Sequence, residues 1–164
     1  MISAYRYYAE IVKPTVDEFF SNNKDLHLAM LACTVTLHMI DYVAQNRGSN
    51  PTDGDNQVRA LKVKAKEKFD FQVVEGFALA SKHCNLSSRP GFDSGKHMVA
   101  YPSFAGVMRA GQTFLGDTIG GITVEWDERG YVNLTNALKA TLEYLESEFP
   151  ELAGAIASED NPSV

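Results

Sequence analysis

His38 and Asp41 stand three residues apart in this chain, and on a helix that spacing puts an imidazole and a carboxylate on one face. A carboxylate beside a histidine holds it in one tautomer and equips it for proton transfer near neutral pH. A second pair follows at Lys82 and His83. A fixed cation next to an imidazole that gains and loses charge near neutrality suits a phosphate-bearing ligand or a proton-transfer step. Both pairs also fit plainer roles: a satisfied core histidine with a local His–Asp hydrogen bond, and basic residues that complement the dipole in the last turn of a helix. His38, Asp41, Lys82 and His83 are therefore the candidate ligand-binding residues, with no catalytic residue assigned.

Other residue types that do chemistry are scarcer or badly spaced. His27 and His38 lie eleven positions apart, about 16 Å along a helix, and cannot share one metal ion. No metal set and no cofactor is expected. Cys84 follows His83 directly, so the two side chains diverge by roughly 100° and do not form a nucleophile–base pair. Cys33 falls in an apolar row, where it packs. Lys62, Lys64, Lys66 and Lys68, with Arg59, form a basic run that can track a phosphate backbone, yet they point to different sides of a helix and no exposed aromatic residues interleave with them. The glycines of residues 85–121 match neither a dinucleotide nor a P-loop spacing.

The elements that must position these residues are mainly helical. Tyr8, Ile11, Val12, Val16, Phe19 and Phe20 predict an amphipathic helix over Ala4–Phe20, which either bends at Pro14 or has its ordered part start there. A second helix over Asp25–Gln45 carries two adjacent apolar rows and a third, polar row of His27, Leu31, Thr34, His38, Asp41 and Gln45. Two apolar rows predict the central helix of a bundle, and the polar row then needs partners inside. A polar loop over Asn46–Asn56, with Gly48 as helix cap, leads to a third helix over Asn56–Cys84. In a simple antiparallel hairpin His83 falls nearer His27 than His38, so a cluster of His38, Asp41 and His83 requires offset packing. Asn85–Gly121 is Gly-rich and reads as an extended excursion. Ile122–Trp126 and Tyr131–Val132 read as a hairpin with Gly130 in its turn, and a last helix starts near Asn133–Thr135 and stops at Pro150. The expected fold is thus a mainly α, four-helix bundle-like single domain over residues 1–157. An insertion at about 86–133 precedes the last helix, and residues 158–164 form a disordered tail.

The chain has 164 residues, 45% of them hydrophobic and 22% charged, and a formal charge of −6. That composition excludes disordered and collagenous chains, and two cysteines exclude a disulfide framework or a Cys-rich zinc module. With no n-region and apolar run at the start, a reducing, cytoplasmic location without membrane attachment is expected. The charge is unevenly placed: residues 59–109 hold nine basic and four acidic residues, a net of +5, which leaves −11 elsewhere. Such a molecule can attract phosphates locally or pair with a second copy of itself.

The order of parts, a long central helix with an embedded polar stripe and then a second long helix ending in Ser81-Lys82-His83, resembles the HEPN class of small helical-bundle domains. The likeness covers about residues 3–85 and the last helix. It implies nucleic-acid or phosphate-ligand binding near Lys82, His83, His38 and Asp41, in a homodimer. Catalytic members carry Arg four to six residues before a His. Here Phe77, Ala78 and Leu79 precede His83, and Ala32, Cys33 and Thr34 precede His38, so the resemblance implies the fold without that cleavage chemistry. The alternative is a non-enzymatic interaction or oligomerisation module in which the same histidines are structural; a metal hydrolase using His and Asp is a third.

Overall fold

The computed structural model describes residues 2–80, 101–102, 121–126 and 130–152. Helices dominate them, and a small antiparallel sheet precedes the last helix. The expected mainly α, bundle-like fold is what the chain adopts.

The first rod contains α1 (Ala4–Tyr7), a π-helical turn (Tyr8–Val12) and α2 (Lys13–Ser21). Pro14 explains the turn. Its ring has no N–H and crowds the carbonyl four residues back, that of Glu10. The widened turn instead lets the Lys13 N–H reach the Tyr8 carbonyl, and Pro14 enters α2 in its first turn, where a missing N–H costs little. The rod therefore neither breaks at Pro14 nor starts there. Val12, Val16 and Phe19 on its inner face are fully buried.

Helix α3 (Leu26–Arg47) is capped by Asp25, whose carboxylate accepts the N–H groups of His27 and Leu28 at 2.8 and 3.1 Å. It packs against α1, α2, α4, α5 and α6 and buries Ala29, Ala32, Cys33, Met39, Ile40 and Val43 completely. By length and composition it is apolar enough to cross a membrane, yet half of its most apolar stretch is buried against the other helices. In this fold it is the core helix. Its polar row is less enclosed than the sequence predicts: His27 and Leu31 are exposed, and Thr34, His38, Asp41 and Gln45 are half-buried. The polar side chain that is fully buried is Thr36, which lies off that row.

The expected single third helix is two helices, α4 (Pro51–Ala65) and α5 (Phe69–Ala80). Asn50 caps the Asp53 N–H at 3.0 Å, Pro51 occupies the first turn, and Asp53 accepts from the N–H of Ser49 at 2.8 Å. The helix thus starts within the stretch the sequence assigns to a loop. Lys62 and Lys66, and Lys64 and Lys68, are spaced four apart and oppose continued winding. The chain tightens through the bonds Glu67 N–H to Lys64 and Lys68 N–H to Ala65, and Gln72 Nε2 donates to the freed Lys66 carbonyl at 2.6 Å. Gly48 sits at the α3 cap in an extended conformation. Its role is proximity, because a Cβ there would lie 2.7 Å from the backbone nitrogen of Gly54.

Strands β2 (Ile122–Trp126) and β3 (Gly130–Asn133) form the expected hairpin, in register Val124 opposite Val132 and Trp126 opposite Gly130. Gly130 is thus a strand residue and not the turn glycine. A two-residue strand, β1 (Tyr101–Pro102), adds to the free edge of β2. Gly121, at φ +95°, leads into β2 against the α2–α3 turn, where the Ile122 N–H donates to the Asn23 carbonyl at 2.9 Å. Helix α6 (Leu134–Glu148) is capped by Asn133 and buries Leu134, Leu138 and Leu145; a 3-10 turn, Pro150–Leu152, follows. The rest of the Gly-rich excursion, the hairpin turn at 127–129 and the tail lie outside the described residues.

Candidate functional site

Asp41 is on the C-terminal half of α3, and the antiparallel α4 brings Lys62 to it. The ammonium lies 2.7 Å from the carboxylate, with the two side chains about one-third exposed. The neighbouring Tyr42 ring stacks on Tyr7 from α1, centroids 3.8 Å apart and planes within 11°. The Tyr7 hydroxyl donates to the Val35 carbonyl at 3.3 Å. Burial first, then Tyr42 and the Asp41 carboxylate, pushes the Tyr7 phenol up to about 12, so it remains a neutral donor and not a base. His38 is half-buried one turn before Asp41 and Tyr42. The site on α3 is therefore a polar seam of His38, Asp41, Tyr42, Tyr7 and Lys62.

Of the four candidates, His38 and Asp41 share this seam. Lys82 and His83 lie outside the described residues, as does Cys84. Sequence reasoning gave Tyr7 and Tyr42 no role, and missed that Lys62 is the carboxylate's cation. Antiparallel packing of α3 on α4 was the available signal for the last of these.

The basic run is engaged with carboxylates. Besides Lys62, Lys64 pairs with Glu148 of α6 and Lys66 with Glu75 of α5 at 3.1 Å, while the Lys68 ammonium sits 5.8 Å from the Tyr144 ring centroid. Lys62 thus meets α3 and Lys66 meets α5, while Lys64 and Lys68 both meet α6. The hydrogen bond to Glu148 holds the Lys64 ammonium above its ordinary range. Arg47, at the end of α3, pairs with Glu151 at 2.6 Å and covers the Phe149 ring at 5.0 Å. Lys64 and Arg47 thus tie the ends of α4 and α3 to carboxylates near the acidic end of the chain.

Two further groups are withdrawn from chemistry by burial. Cys33 is fully enclosed, which pushes its thiol far above the usual range and leaves it inert. The Tyr8 hydroxyl donates to the Glu146 carboxylate, joining the first rod to α6; burial and that bond both raise its phenol. The hydroxyls of Thr36, Thr135 and Thr141 are buried with no hydrogen-bond partner. Among the described residues no group of three or more His, Cys, Asp or Glu side chains is placed to hold a metal ion. No protein-family model, curated protein or solved structure matches the chain.

Proposed function

We propose that this chain is a non-catalytic helical domain that works by docking to a macromolecular partner, with His38 and Asp41 serving the fold. The observation that carries this reading is the pairing of Asp41 with Lys62. A carboxylate neutralised by a lysine is poorly placed to orient a catalytic imidazole, and the ammonium that would attract a phosphate is spent on it. The neighbouring Tyr7–Tyr42 stack ties the same seam to α1, which is what a structural joint requires.

A second reading keeps the HEPN-like resemblance and places a nucleic acid or phosphate-bearing ligand near Lys82, His83, His38 and Asp41, in a homodimer. The net +5 over residues 59–109 supports it. Equilibrium binding of a labelled single-stranded RNA and of a nucleotide decides between them, using wild type and a Lys82→Ala/His83→Ala variant. The docking reading expects the two proteins to behave alike, and expects His38→Ala to lower thermal stability without changing either affinity. Salt-dependent binding that the double variant abolishes overturns it and establishes the phosphate-site reading.

A further inference from the structure

Four contacts converge on one short stretch, residues 144–151 at the end of α6 and its 3-10 turn. Lys64 holds Glu148, Arg47 holds Glu151 at 2.6 Å, the Arg47 guanidinium covers the Phe149 ring at 5.0 Å, and the Lys68 ammonium faces the Tyr144 ring at 5.8 Å. The three cations come from the ends of α3 and α4 and the turn before α5. Each is met either by an anionic oxygen or by the face of an aromatic ring. Those are the two groups that a nucleic-acid strand offers to a protein surface, as phosphate and base.

We propose that the acidic, aromatic stretch 144–151 occupies in cis a basic face that takes single-stranded nucleic acid, so that strand and stretch compete for Arg47, Lys64 and Lys68. The inference rests on the reading of the chain as a docking domain and names its partner and its regulation. The competition is balanced finely enough to work. Lys64 is 55% exposed against Glu148 at 26%, and Arg47 and Glu151 are 40% and 41% exposed; ion pairs with an exposed cation hold weakly and are screened by salt. A polyanion takes the exposed ends of Arg47 and Lys64 while Leu145, Phe149 and Leu152 keep the stretch anchored by burial. An acidic aromatic peptide presents similar groups, but it lacks the dense, regular charge that makes binding through released counterions strong.

The test uses the full chain and a labelled single-stranded RNA of mixed sequence. Relative to wild type, Glu148→Gln/Glu151→Gln should bind about tenfold tighter near 50 mM salt. Its plot of log affinity against log salt should steepen by about 1.4, the value for two freed cations meeting phosphates. Adding Arg47→Gln and Lys64→Gln should remove the gain. Unchanged affinity, a gain that survives loss of Arg47 and Lys64, or a gain seen only with phosphatidylserine vesicles or with an acidic aromatic peptide overturns the proposal. If circular dichroism finds the double variant unfolded, Glu151→Gln alone carries the test, with a steepening of about 0.7. The Lys82→Ala/His83→Ala comparison judges the docking reading separately, so the two fail independently.

Discussion

Replacing Thr36 by Val should stabilise this protein. Thr36 is in the middle of α3 with its side chain fully buried, and its hydroxyl has no hydrogen-bond partner. A buried hydroxyl without a partner carries a desolvation cost of about 1–3 kcal/mol. Valine has the same branching and nearly the same volume, so the change opens no cavity and forces no overpacking. The two residues also rank together in helix propensity, and the new methyl group adds up to about 0.8 kcal/mol of apolar burial. Taking the low end of the desolvation range, because a buried hydroxyl relaxes somewhat toward nearby carbonyls, the net gain is about 1–2 kcal/mol. In a domain of this size that raises Tm by about 2–8 °C. Urea unfolding followed by circular dichroism reads the change as a higher midpoint at constant slope. An unchanged or lowered midpoint refutes the reasoning and means that the hydroxyl is bonded in the folded protein.

Two other predictions concern the backbone and pH. Gly121→Ala should destabilise by about 1–2 kcal/mol from its left-handed backbone alone, since φ is +95° and the new Cβ would also sit 2.9 Å from Asn23 Cγ; chemical denaturation measures the loss, and stability equal to wild type refutes the strain. The Tyr7 phenol titrates higher in the folded protein than in the unfolded chain, so its contribution is intact below its unfolded value of about 10 and fades as pH climbs toward about 12. Tyr7→Phe should flatten that alkaline loss of stability, and an unaltered pH profile argues against the effect.

The helices were largely legible because their apolar residues recur at helical spacing over long runs. Leu134, Leu138, Leu142 and Leu145 predict α6, where all but the half-buried Leu142 are buried, and the two rows of α3 predict a core helix. The α4–α5 break was harder to read. The apolar row Leu61, Ala65, Phe69 and Val73 continues through it, so periodicity alone reads one helix where the chain makes two. Asn50-Pro51-x-Asp53 was a readable helix start, hidden by the habit of assigning Pro and Gly to loops. In the site, Asp41 and His38 were visible as an i, i+3 pair. Lys62 and Tyr7, 21 and 34 positions away from Asp41, are long-range partners that only packing brings together. The uneven charge map did carry the Lys64–Glu148 pair in outline, as a basic middle and an acidic end, whereas Arg47 lies outside that basic segment.

The π-helical turn at Tyr8–Val12 has a consequence for how this protein can vary. A π turn is an α turn with one residue added, and here it gives Tyr7 its place on α3 and Tyr8 its place on α6. Deleting Ala9, Glu10 or Ile11 would remove the slack that keeps the Pro14 ring clear of the carbonyl four residues back, so the rod would have to kink there and carry both tyrosines out of line with their partners. Length at this point of the helix is therefore under tighter constraint than residue type, the reverse of what holds in a surface loop.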